Sequence, residues 1–115
     1  MIFVIDDDVM MGGCVGRATG FDYKIFTNAV EAMNQIAEGN LPDLIFLDIL
    51  LDGPDGFTFL NELVSYYDTA KIPVVIVSSL NFDEQDLTKY GVEGVLNKDT
   101  MKPKDIKDYA RKYAK

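Results

Sequence analysis

The sequence contains no histidine and a single cysteine, Cys14. Without histidine the commonest general base and metal ligand is gone, so any chemistry has to come from carboxylates, hydroxyls, lysine and a hard cation. One cysteine excludes an intramolecular disulfide and agrees with a reducing compartment; Cys14 reads as a packing or partly exposed residue, not as a functional thiol. Positive charge is also scarce, with 11 Lys and Arg against 19 Asp and Glu and a net charge of −8. A surface that tracks phosphates needs clustered cations, so nucleic acid is not an expected partner. Long apolar runs are missing too: none approaches the roughly 18 residues that cross a bilayer. The apolar start, Ile2 to Ile5, runs straight into Asp6 with no cationic region or cleavage pattern of a secretory signal. The expectation is a soluble, cytoplasmic protein without membrane contact.

At 115 residues, 48% of them hydrophobic, the chain has the size and composition of one globular domain spanning residues 1–115. Three short, wholly apolar runs, residues 2 to 5, 44 to 47 and 74 to 77, read as strands buried on both faces, which a parallel sheet between helices requires. Two mixed runs, residues 23 to 26 and 94 to 96, carry or adjoin charge and read as edge strands. Between the runs lie helical stripes. Ala29, Ala32, Met33, Ile36 and Ala37 follow a possible Asn28 cap and stop at Gly39. Phe57, Leu60, Val64 and Tyr67 form a second stripe, and Ile106, Tyr109, Ala110 and Tyr113 a third. A shorter fourth helix is expected over residues 83 to 89, ended by Gly91. Residues 8 to 22 must hold the first crossover. There Gly12, Gly13 and Gly16 each cost about 0.5 to 1 kcal/mol relative to alanine, which predicts a short or frayed helix.

Five alternating strand and helix units with these central and edge strands predict an α/β fold: a doubly wound, five-stranded parallel sheet of order 2-1-3-4-5, with helices on both faces. Ligands of such sheets bind beyond the carboxyl ends of the strands where the order reverses, here between strands 1 and 3. The residues at those ends are Asp6, Asp7 and Asp8, then Asp48, then Ser78 and Ser79, then Lys98. Each alone is an ordinary turn, cap or surface residue; together they place carboxylates, a hydroxyl and an ammonium on one side of one sheet. Clustered carboxylates stay ionised together only around positive charge. Mg²⁺ or Mn²⁺ is the expected cation, since hard ions take oxygen ligands and combine with phosphate oxygens. Carboxylate nucleophile, cation, lysine and hydroxyl make up a phosphoryl-transfer site.

Over its whole length the chain resembles the receiver domains of response regulators, and in particular single-domain chemotaxis regulators of flavodoxin-like fold. The matching stretches are Phe3-Val4-Ile5-Asp6-Asp7-Asp8, Asp43-Leu44-Ile45-Phe46-Leu47-Asp48, Asp55-Gly56-Phe57, Pro73-Val74-Val75-Ile76-Val77-Ser78 and Leu96-Asn97-Lys98. The resemblance implies that Asp48 accepts a phosphoryl group from a histidine kinase or histidine phosphotransfer protein. It implies that Asp6, Asp7, Asp48 and the backbone carbonyl of Leu50 hold the metal, Asp7 more directly than Asp6. Ser78 and Lys98 would contact the phosphoryl group, and Asp8 would cap the first helix. It further implies a signalling domain that catalyses only its own phosphorylation and dephosphorylation, as a monomer or weak dimer. Output would run through partner binding on the face of helix 4, strand 5 and helix 5, or through phosphorelay, with no output domain beyond Lys115.

Three positions depart from the family pattern. Asp52 stands where a proline is usual, Asp99 replaces the proline after the lysine, and Val95 replaces an aromatic ring. A non-proline residue at 99 predicts a trans Lys98–Asp99 peptide. The alternatives are a pseudo-receiver that binds partners without phosphorylation, and a haloacid-dehalogenase-like phosphatase with Asp6 as nucleophile and Asp8 as acid/base. Nucleotide binding around Gly12 and Gly16 is disfavoured, because the triple aspartate repels a pyrophosphate and the glycine spacing matches no phosphate loop.

Overall fold

Every residue of the three apolar runs is buried, and each run is a strand with helix on both sides. The computed structural model describes residues 1–49, 56–66, 68–79 and 87–114. In chain order these form β1 (Ile2–Ile5), α1 (Val9–Thr19), β2 (Tyr23–Phe26), α2 (Ala29–Ala37), β3 (Leu44–Leu47), α3 (Gly56–Val64), β4 (Val74–Ser78), a 3-10 turn (Thr88–Tyr90), β5 (Val92–Asn97) and α4 (Pro103–Tyr113). The sheet order is β2-β1-β3-β4-β5, and all four pairings are parallel, as the pattern of central and edge runs predicts. β5 extends beyond the expected 94 to 96, because Val92 already pairs with Val74 and an irregularity after Val74 resets the register.

Strand side chains alternate between two cores. Phe3, Ile5, Ile45, Leu47, Val74 and Ile76 meet Ala29, Ala32 and Ile36 of α2 and Phe59, Leu60 and Leu63 of α3. Ile2, Val4, Leu44, Phe46, Val75 and Val77 meet Val15 of α1 and Ile106 and Ala110 of α4. Asn28 caps α2 as expected, its side chain accepting the Glu31 N–H at 2.9 Å.

Two expectations are corrected. The glycine-rich crossover is no frayed remnant but an eleven-residue helix, capped by Asp8 and closed by Gly20 at φ 75°. Two of its three glycines are there for contact: a Cβ on Gly16 would lie 2.4 Å from the Tyr23 ring, and one on Gly12 3.1 Å from Ile25. The propensity lost at these positions is offset by seating the helix close on β2. In α3 the buried face is Gly56, Phe59, Leu60 and Leu63, so the expected stripe is rotated. Phe57 and Val64 are only half-buried, since Phe59 and Leu63 also satisfy the helical period and point at the sheet. Tyr67, Leu50, Asp52 and most of the expected fourth helix lie outside the described residues; of that helix, the described part is Leu87 and the 3-10 turn that ends at Gly91.

Candidate functional site

Strand register brings the site together. Ile5 lies opposite Leu47, so Asp6 and Asp48, the next residues, leave the sheet side by side. The Asp48 N–H donates to Ile5 O and the Asp6 N–H to Phe26 O, each at 2.9 Å, carrying the ladder one step past the strands and fixing both backbones. Leu47 pairs with Ile76, which sets Ser78 at the neighbouring strand end. Ser78 pairs with Asn97, and the Lys98 N–H donates to Ser78 O at 2.9 Å. Four strands thus deliver carboxylate, carboxylate, hydroxyl and ammonium to one edge.

Asp6, Asp48 and Ser78 are buried, at 2%, 6% and 0% exposure, while Asp7 is exposed. Lys98 Nζ lies 3.0 Å from Asp6 Oδ2 and 3.0 Å from Asp48 Oδ2, bridging the two buried carboxylates. Asp6 Oδ1 also accepts the Asp8 N–H at 2.9 Å. Asp8 itself caps α1, its Oδ1 accepting from the Met10 and Met11 N–H groups at 3.0 and 3.2 Å. Among the described residues no buried side-chain nitrogen or oxygen lacks a hydrogen-bond partner.

Burial pushes the Asp6 carboxyl above its ordinary range, and the charge of Asp48 adds to that; the Asp8 N–H and Lys98 pull it down without cancelling the rise. Burial works against the Lys98 ammonium, but hydrogen bonds to Asp48 and Asp6, with their charges, outweigh it and raise its pKa above the ordinary lysine value. The site is therefore short of positive charge around Asp6 and holds its one lysine firmly protonated.

Asp6, Asp7 and Asp48 each offer an oxygen, and these three atoms lie within 4.8 Å of one another. An octahedral ion with ligands at about 2.1 Å takes oxygens about 3 to 4.2 Å apart, close to the separation found here. The donors are all hard oxygens, and the fit to Mg²⁺ or Mn²⁺ is good in charge and in kind.

The structure gathers Asp6, Asp7, Asp48, Ser78 and Lys98 as the sequence predicts; Leu50 lies outside the described residues. The Lys98–Asp99 peptide is trans, as expected. Val95 is half-buried and packs on the core shared with α2 and α3. The sequence reading missed two features. Lys98 pairs with Asp6 as closely as with Asp48, which the alignment of β1 with β3 signals once both strand ends are set side by side. Asn97 organises the turn that carries Lys98, for which the Asn-x-Asp spacing is the available sign.

A five-stranded parallel sheet of order 2-1-3-4-5, covered on both faces, is the flavodoxin-like architecture. A sequence model of the response regulator receiver domain matches residues 2–111, and the chain belongs to that family. It is 41% identical over 46 residues, 40% of its length, to the response regulator PleD of Caulobacter vibrioides, covering 10% of that protein. It is 33% identical over 82 residues, 69% of its length, to the DNA-binding dual master transcriptional regulator RpaA of Synechocystis, covering 34% of that protein. The chain thus spans from a tenth to about a third of these curated relatives. Among solved structures, the BeF3-activated N-terminal receiver domain of RstA from Klebsiella pneumoniae superposes with a TM-score of 0.79 at 26% identity, over 97% of this chain and 96% of that one. Membership of the receiver family marks a signalling module rather than a classical enzyme, and it leaves the phosphatase reading, with Asp8 as acid/base, without support.

Proposed function

We propose that Asp48 is the acceptor of a phosphoryl switch, with Asp6 and Asp7 joining it to hold Mg²⁺ or Mn²⁺ and with Ser78 and Lys98 contacting the phosphoryl oxygens. The observation that carries this reading is the Lys98 ammonium 3.0 Å from Asp48 Oδ2, where Asp48 converges with the Asp6 and Asp7 carboxylates. Asp48 stands between β1 and β4 in the middle of the sheet, so the other groups reach it from both sides. Its carboxylate oxygen forms the new O–P bond as the P–N bond of a donor phosphohistidine breaks. Lys98 and the Ser78 hydroxyl then offer donors to the phosphoryl oxygens, stabilising charge that water would otherwise have to reorganise around. The bound divalent ion supplies further neutralisation of that charge. The BeF3 activation of the related RstA receiver domain supports the same chemistry here.

The donor is a histidine kinase or a histidine phosphotransfer protein in the cytoplasm. The downstream partner binds on the side of β5 and the C-terminal helix α4, and the protein works as a monomer or weak dimer. Phosphorylation with acetyl phosphate and Mg²⁺, read by intact mass, tests the reading. Wild type gains one phosphoryl group, omission of Mg²⁺ removes the gain, and Asp48→Asn gains none. An undiminished gain in Asp48→Asn would overturn the assignment, and no gain in wild type would favour the pseudo-receiver reading.

A further inference from the structure

The backbone that follows Lys98 turns on Asn97. Asn97 Oδ1 accepts the Asp99 N–H at 2.8 Å, and the Asn97 carbonyl accepts the N–H groups of Thr100 at 3.2 Å and Met101 at 2.8 Å. Three consecutive donors after Lys98 therefore converge on Asn97. On the other side, the Lys98 N–H is fixed by Ser78 O at 2.9 Å. Lys98 sits inside this clamp, and its side chain runs from it to the two buried carboxylates.

We propose that Asn97 is the positioning residue for Lys98: its side chain closes an Asx turn across the lysine and so aims the ammonium at Asp6 and Asp48. The physical need is specific to this chain. The Lys98–Asp99 bond is an ordinary trans peptide, with no ring to restrict the backbone at residue 99, and Asp99 and Thr100 are exposed. Without the Asn97 acceptor, the Asp99 N–H turns to water and the ψ angle of Lys98 is free to relax. Nζ stands at the end of a long stem, so a small rotation of the backbone at its root is levered into a displacement of the order of 1 Å at Nζ, a scale on which misplacement costs up to about a hundredfold in rate. Asparagine supplies the acceptor without adding a fourth negative charge to the cluster.

This inference rests on the functional reading above for its effect on rate, but its structural half is tested separately. The variants are Asn97→Leu, of similar size with no acceptor, and Asn97→Ser, whose hydroxyl closes the same type of turn more weakly. In ¹⁵N NMR without phosphodonor, the Lys98 ammonium is protected by its two carboxylates and gives a resolved signal in wild type. The signal broadens or vanishes in Asn97→Leu and returns in Asn97→Ser. With acetyl phosphate and Mg²⁺, Asn97→Leu slows phosphorylation about tenfold, and Asn97→Ser recovers most of that rate. In a Lys98→Ala background Asn97→Leu has no further effect, because the residue acts through the lysine. An unchanged ammonium signal in Asn97→Leu, or an equal slowing in the Lys98→Ala background, would overturn the proposal. If wild type takes up no phosphoryl group while the ammonium signal still depends on residue 97, the functional reading fails and the positioning role stands.

Discussion

Asp6 carries a charge that its surroundings oppose. It is almost wholly buried, accepts one backbone N–H and shares one ammonium, yet its carboxyl stays above the ordinary value of 3.8. A carboxyl raised in the folded state binds its proton more tightly there, so its contribution to stability is full below the unfolded value and is lost as pH rises through the folded one. Asp6→Asn removes the charge and keeps one acceptor oxygen for the Asp8 N–H, giving up the separate oxygen that faces Lys98. In metal-free buffer it therefore gains stability relative to wild type as pH rises from about 3.8 towards neutrality. Urea unfolding of both proteins at a series of pH values measures this, and a gap that widens towards low pH would contradict it. Lys98 has the same sign of dependence in a higher window: its raised value means that its contribution is full below the ordinary lysine pKa and is lost as pH rises through the folded one, so the ion pairs hold throughout the neutral range. At neutral pH it is the carboxylates, not the lysine, that a bound cation relieves.

At the scale of elements, α1 shows how propensity yields to packing. Glycine to alanine inside a helix ordinarily stabilises by about 0.5 to 1 kcal/mol. Gly13→Ala follows that rule, because its added methyl meets only the end of the flexible Arg17 side chain, at 3.0 Å. Gly16→Ala reverses it: the methyl would lie 2.4 Å from the Tyr23 ring, and overpacking of this kind costs about 1 to 3 kcal/mol. The two variants should move the urea midpoint in opposite directions. If Gly16→Ala is as stable as Gly13→Ala, α1 does not sit on β2 as closely as the structure has it. The rotation of α3 is the same kind of effect on a smaller scale. Phe57 and Phe59 both fit a helical stripe, and the choice falls to the contact of Gly56 with Ile49, where a Cβ would approach to 2.8 Å. That contact fixes how the helix rolls on the sheet.

The whole molecule carries a net charge of −8, with three of its acids pointed at one spot, so cation binding and folding are linked. A ligand that binds only the folded state stabilises it by about 2.7 kcal/mol at a hundredfold excess over its Kd. For a domain of this size each kcal/mol moves Tm by about 4 to 8 °C. Mg²⁺ should therefore raise Tm in wild type. Asp7→Ala should lose that rise and, in chelator, melt slightly above wild type through relief of repulsion. Scanning calorimetry with and without Mg²⁺ decides it, and a Mg²⁺-dependent rise that survives in Asp7→Ala would place the cation elsewhere.

Much of this architecture is written in local sequence. Apolar runs of four to five residues, the stop and cap residues between them and the acids that follow them are features of neighbouring positions, and burial on both faces demands a parallel sheet. From these alone come the order of the strands and the placing of Asp6, Asp7, Asp48, Ser78 and Lys98 at one edge of the sheet. Other features depend on which side chains meet across space. Gly12 and Gly16 of α1 read as a weakness until Ile25 and Tyr23 lie against them, and the face of α3 stays ambiguous until Gly56 packs on Ile49. That Lys98 divides itself between Asp6 and Asp48, and that Asn97 closes the turn beneath it, follow from strand register and turn geometry. Hydrophobic period is local and survives in one dimension; distance and angle between residues far apart in the chain exist only once the chain has folded.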